Sequence, residues 1–242
     1  MFSHFVHIAQ MSQTDDTRTM ILQAAVERIL HYGYSKTTMA EIAKDCNMSA
    51  GNIYRFFASK IDIAEAMAHK FNEEAYLTFE KIVARKETAS NRLRELFHYD
   101  LARTYSAIED EAKILEVAEV LSKERPLYMN EKLAKERVYL SAILEDGVRA
   151  GEYRALSNPN EIAEMWQAAL MKFRFPQLFS KLTLPKLQRE LDGVMDLLLA
   201  GISPQSAVPA PWDGVTPATG EVCPVTGKLI DSLESTALSE NR

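Results

Sequence analysis

Residues 38–60 hold side chains suited to hydrogen bonding and charge pairing rather than to covalent catalysis. Thr38 opens a short apolar-periodic run, where a hydroxyl and free backbone N–H groups suit a phosphate. Ser49, Ala50, Gly51 and Asn52 follow an Asn47-Met48 turn; their small or polar side chains let a helix end enter a major groove. Tyr54 and Lys60 can reach phosphates on either side, while Ile53 and Phe57 can pack inward. The chemistry this spacing supports is reading of double-stranded DNA.

Other chemistries lack comparable patterns. There is no Gly-rich phosphate loop, no Gly-x-Ser-x-Gly elbow and no evident catalytic pair. The five histidines show neither His-x₃-His nor His-Glu-x-x-His spacing, so no metal site is expected, and no cofactor either. Cys46 and Cys223 are far apart and make no disulfide framework or zinc knuckle. Cys46 reads as a small core residue. The lone Cys223-Pro224 pair is too common by chance to mark a haem ligand. The chain is not expected to be an enzyme.

The elements that must position residues 38–60 are all helices. Asp15-Asp16 to Gly33 reads as a first helix, with acidic residues in its first turn and a glycine stop. Thr38-Met39-Ala40-Glu41 is a capping box for a second, ending near Cys46. Ser49 caps a third, from Ala50 to about Phe57, and Ser59 opens a long fourth to about Lys86. Further helices are expected at about 90–108, 111–123, 127–150, 158–182 and 184–201, with Pro176 kinking the fourth of these. No segment shows sustained strand alternation. The fold class is therefore all-α, with an N-terminal three-helix helix-turn-helix unit and a larger helical domain.

The run Ile21-Leu22, Ala25, Gly33-Tyr34, Thr37-Thr38, Ile42-Ala43, Met48-Ser49, Gly51 to Phe57 and Ser59-Lys60 resembles the DNA-binding domain of the TetR family of bacterial transcriptional regulators. The match covers about 50 residues, from Arg18 to roughly Met67. The resemblance implies that Thr38, Tyr54 and Lys60 clamp phosphates. It puts Ala50, Gly51, Asn52, Arg55 and Phe56, beside Ser49, on or near the base-reading face. Asn52 is the best reader, because an amide pairs bidentately with adenine. Phe56 departs from the polar or His-like residue often found there, and either meets a thymine methyl or packs. Alone, Tyr54 would also fit a core aromatic and Lys60 a solvated lysine; in this register phosphate contact is the better reading.

Four regions follow: residues 1–12 as a disordered or non-native arm, 13–62 as the helix-turn-helix domain, 63–202 as a ligand-binding and dimerisation domain, and 203–242 as a disordered tail. Five of the nine prolines fall in the last 40 residues. Phe97, His98, Arg103, Glu116, Tyr128, Trp166 and Phe173 are the candidates to line a mostly apolar pocket. Trp166, Leu170, Leu187, Leu191, Met195 and Leu198 are the candidates for a homodimer interface through the last two helices, as the resemblance also implies. The alternative is that these residues are plain core.

The leading expectation is a cytoplasmic, ligand-responsive repressor that binds palindromic operator DNA as a dimer and is released by an unidentified small molecule. Activation, action through a protein partner, and an all-α scaffold or enzyme using the C-terminal cavity are the alternatives. No apolar run is long enough for a membrane span. A net charge of −6 argues against a DNA binder at first sight. Its distribution does not: residues 1–60 carry six basic and five acidic side chains, and the remainder 22 and 29. Phosphate attraction should therefore be local and modest.

Overall fold

The computed structural model of the 242-residue chain describes residues 13–110, 113–176 and 182–205. The expected arm and nearly all of the expected tail, including Cys223, lie outside the described residues. Among those described there are ten helices and no strand, so the fold is all-α. They are α1 (Gln13–Tyr32), α2 (Met39–Asp45), α3 (Ala50–Ile53), α4 (Lys60–Val83), α5 (Ala89–Asp110), α6 (Ile114–Glu124), α7 (Pro126–Arg149), α8 (Pro159–Ala169), α9 (Met171–Arg174) and α10 (Leu184–Ile202). No described helix is long and apolar enough to cross a membrane.

The helix starts follow their caps. Thr38, Ser49 and Ser59 each accept a backbone N–H from three residues on, and Asn158 accepts from Asn160 and Glu161 ahead of Pro159. α1 stops at Gly33, whose φ of +94° is the left-handed conformation that glycine adopts most readily.

Two expectations are corrected. The third helix does not run to Phe57. After Asn52 the chain tightens into shorter turns, with Arg55 N–H on the Asn52 carbonyl at 3.1 Å and Phe56 N–H on that of Ile53 at 3.0 Å. Phe57 N–H still reaches the Ile53 carbonyl at 3.1 Å, and Arg18 Nη1 donates to the Phe56 carbonyl at 2.8 Å, fastening this last turn to α1. The expected 158–182 helix is also not one kinked rod. It breaks at Leu170 (φ −99°, ψ 12°), and α9 ends two residues before Pro176. Proline disfavours helical geometry in the residue ahead of it, and Phe175 sits at φ −132°, ψ 60°. Residues 177–181 lie outside the described residues.

Three apolar clusters hold the fold. Ile21, Ala25, Ile42, Ala43, Ile53, Phe57 and Ile63 make the core of the helix-turn-helix unit. A larger one, including Phe79, Leu93, Leu101, Ile143, Leu144, Trp166, Leu170, Leu187, Leu191 and Met195, packs α4, α5, α7, α8 and α10. A third joins them: Ile29 and Tyr34 meet Ile61 and Ala64 of α4, Val117 and Leu121 of α6, and Tyr128 of α7.

Candidate nucleic-acid interface and cavity

The short turn between α2 and α3 is made by Asn47 in the left-handed conformation (φ 54°), which its short polar side chain tolerates. Met48 N–H returns to the Ala43 carbonyl at 2.8 Å, and Ser49 Oγ accepts Asn52 N–H at 3.2 Å. Ile53 and Phe57 are buried behind α3. Ser49, Ala50, Gly51, Tyr54 and Arg55 are exposed, while Asn52 and Phe56 are half-buried. Tyr54, at 53% exposure, is not a core aromatic.

Arg28 clamps α1 to α2, with Nε 2.5 Å from Asp45 Oδ2 and Nη1 3.3 Å from Glu41 Oε1. The hydrogen bond from Arg28 holds the Asp45 carboxyl below its usual range despite some desolvation. Arg18 lies 4.0 Å from the Phe57 ring centroid. Lys60 Nζ donates to the Tyr34 and Thr37 carbonyls, both at 2.8 Å, and sits 4.2 Å from the Tyr34 ring centroid. Burial pulls the Lys60 ammonium below its usual range. Two of its three donors therefore fasten the loop that leads into α2.

Thr38 is similarly engaged. Its backbone N–H and Oγ1 both donate to Glu41 Oε2, at 2.9 and 2.8 Å. The first-turn groups without a partner inside α2 are the N–H groups of Met39 and Ala40. Lys36, Lys44 and Arg55 are exposed around the same face. Lys36 and Lys44 were not among the expected contacts. Their signal was a lysine two residues before the capping threonine and another in the last turn of the helix it caps.

The second feature is a cavity of about 720 Å³, a size usual for small-molecule sites. Its lining is mostly apolar and is drawn from α1 (Val26, Leu30), α4 (Met67, Phe71), α5, α6, α7 and the α9 region. Tyr128 and Arg103, two of the expected pocket residues, line it. The other five do not. Phe97, Trp166 and Phe173 are buried in the large core, His98 Nε2 pairs with Asp192 Oδ1 at 2.7 Å, and Glu116 faces Gly33 and Ser35. The pocket forms nearer α1 than expected: α8 packs along α7, and its Trp166 meets Phe97 of α5 inside the large core. Asn72 Nδ2 donates to Tyr128 Oη at 2.6 Å, and burial pushes the Tyr128 hydroxyl up to about 12.

The expected interface residues are also placed differently. Trp166, Leu170, Leu187, Leu191 and Met195 belong to the chain's own core, and Leu198 is half-buried against it. The outward side of α8 and α10 carries Met165, 61% exposed, and Leu197, 75% exposed, with Ala168, Ala169, Gly193 and Ala200. No group of three or more His, Cys, Asp or Glu side chains that could hold a metal occurs among the described residues.

Comparison with known proteins adds family relationships. Residues 21–67 match the model for bacterial regulatory proteins of the tetR family, and residues 89–195 match a tetracyclin repressor-like C-terminal domain. An uncharacterized HTH-type transcriptional regulator of Bacillus subtilis is 28% identical over 144 residues, 56% of this chain and 71% of that protein. The fatty acid metabolism regulator protein of the same organism is 24% identical over 148 residues, 60% of this chain and 74% of that one. The crystal structure of a Thermus thermophilus TetR-family repressor in complex with lauroyl-CoA is similar in fold. Its TM-score is 0.59 at 19% identity, covering 80% of this chain and 98% of that one.

Proposed function

Since the chain belongs to the TetR family, it is a transcriptional regulator with a helix-turn-helix DNA-binding domain, and we propose that it is a dimeric, ligand-responsive repressor. The observation that carries this reading is that the cavity and the DNA-facing unit share walls. α1 and α4 both line the cavity and both pack in the helix-turn-helix core. A ligand that fits the cavity better with α4 displaced would draw the recognition residues out of register with DNA. Such a switch needs only a difference in ligand affinity between the two states.

On this reading Asn52 and Arg55 read base edges, with Ser49, Ala50 and Gly51 allowing close approach. Tyr54, Lys36, Lys44 and the first-turn N–H groups of α2 meet phosphates. Thr38 and Lys60 hold the α2 approach in shape, and the third donor of Lys60 is left for a phosphate. Two copies pair through the outward faces of α8 and α10, centred on Met165 and Leu197, and present two units to a palindromic site in the cytoplasm. The family relationships and the apolar cavity support a small-molecule effector.

Footprinting of the DNA upstream of its own gene tests the proposal. A protected palindrome at physiological salt is expected from the native protein. Leu197→Glu should give a monomer by light scattering and lose the footprint. A folded dimer that protects no site would overturn the repressor reading.

A further inference from the structure

One end of the cavity carries an excess of buried positive charge. Arg103 of α5, Lys132 of α7 and Arg174 of α9 line it together with Asp100. Glu136, almost fully buried, lies behind them. Arg103 Nη2 is 3.3 Å from Asp100 Oδ1, Arg174 Nη1 is 3.5 Å from Asp100 Oδ2, and Lys132 Nζ is 2.5 Å from Glu136 Oε1. Arg174 also pairs with Glu136. Three cations therefore meet two carboxylates, and Arg103 Nε and Arg174 Nε have no hydrogen-bond partner. The other charge on the lining, Glu119, is largely exposed and already paired with Lys123 at 2.7 Å. A buried unbalanced charge is costly unless something compensates it.

The opposite end is apolar. Along α5 the lining passes from Asp100 and Arg103 through Thr104 and Ala107 to Ile108, about 12 Å on. It is continued there by Ile114, Leu115, Val117 and Ala118. Arg174 is 5% exposed and Asp100 3%, so the charged end is the deep end.

We infer that the cavity takes an amphiphile with one anionic head, of the carboxylate class, bound head-inward at Arg103, Lys132 and Arg174 with its apolar body along α5 and α6. This rests on the effector reading above and narrows it to a ligand class. The anion supplies the missing negative charge, and the apolar body fills the remainder. Desolvation and Arg174 pull the Lys132 ammonium down, and an anion beside it would oppose both effects. A cationic or neutral amphiphile of the same length leaves the excess uncompensated.

Calorimetric titration of the full-length protein with decanoate, 1-decanol and decylammonium tests this. Decanoate should bind at least about tenfold more tightly than decanol, and decylammonium should not bind measurably. Lys132→Gln and Arg103→Gln should each bring the decanoate-to-decanol ratio to within about threefold, and Lys132→Arg should restore it. Native circular dichroism and melting identify the variants that qualify. Decanol or decylammonium binding as well as decanoate, no binding of decanoate, or an unchanged ratio in both charge-removing variants would overturn the inference. A parallel DNA-binding titration separates the two readings. Decanoate that binds with this selectivity but does not weaken DNA binding upholds the site and defeats the effector role. A neutral amphiphile that binds and releases DNA does the reverse.

Discussion

At the scale of single residues, donors that look alike in sequence divide into those that hold the protein and those left exposed. Arg18, Arg28 and Lys60 are basic, but each is fastened to a carbonyl or a carboxylate of the helix-turn-helix unit. Arg55 is exposed beside Tyr54 on the turn after α3. Lys60→Met and Arg55→Ala should therefore behave differently. Arg55→Ala should weaken operator binding, leave the melting temperature within about 1 °C, and change sequence preference at one base pair if it reads a base. If it meets only phosphate, the loss is uniform and the salt slope falls by about one per subunit. Lys60→Met should lower the melting temperature, because two loop carbonyls lose their donor. Thermal melts beside binding titrations at several salt concentrations give both readouts. The types and spacing of the site residues were legible in the sequence, whereas their commitment to internal partners was not. The Lys60 contacts to Tyr34 and Thr37 span more than twenty residues and depend on how α4 crosses the loop before α2.

At the scale of elements, starts were legible and interiors less so. Caps at Thr38, Ser49, Ser59 and Asn158 are local, so a few residues suffice to place them. The breaks at Tyr54 and Leu170 have no side-chain cap or glycine to mark them, so no comparably short signal places them. The same holds for the large apolar side chains of α8 and α10. Their periodicity marks a buried face, but periodicity is identical for a face buried in the chain and one buried in a dimer. Gly147 shows how tightly one such junction is built. It lies in the last turn of α7, and a Cβ there would stand 2.2 Å from the Tyr153 ring and 2.9 Å from Ala89 Cβ. Tyr153 is itself fixed by its N–H on the Gly147 carbonyl at 3.2 Å and by its hydroxyl, 3.1 Å from Ser90 Oγ. Gly147→Ala should therefore destabilise the fold by about 1–3 kcal/mol through overpacking, although alanine favours helix at an ordinary position. Urea denaturation would show a lower midpoint, and a raised one would mean that the Tyr153 turn is free to move.

At the scale of the whole molecule, α6 touches both the cavity and the helix-turn-helix unit. This helix lines the cavity with Leu115, Val117 and Ala118, and its opposite contacts reach the helix-turn-helix unit. Glu116 Oε2 accepts the Ser35 N–H at 3.2 Å, and its Oε1 lies 2.9 Å from where a Cβ on Gly33 would stand. Lys113 donates to the His31 carbonyl. At the far end Arg125 pairs with Asp62 at 2.6 Å and Glu65 at 3.0 Å, in the first turns of α4. Burial raises the Asp62 carboxyl, but Ser59 and Arg125 outweigh it and hold it low. A depressed carboxylate stabilises the fold above its unfolded-state pKa and loses that contribution as pH falls through the folded value. The joint between α4 and α6 should therefore loosen in acid, below about pH 4. Glu116 is different, because it touches the DNA-binding unit without lining the cavity. If α6 transmits ligand occupancy, Glu116→Ala should leave decanoate affinity unchanged while shrinking its effect on operator binding by about 0.5–2 kcal/mol. Operator dissociation constants with and without saturating decanoate, in native and variant proteins, measure this as a ratio of ratios. An unchanged ratio would assign the coupling to α1 and α4, which touch both the ligand cavity and the helix-turn-helix core directly, and would leave Glu116 as a strut.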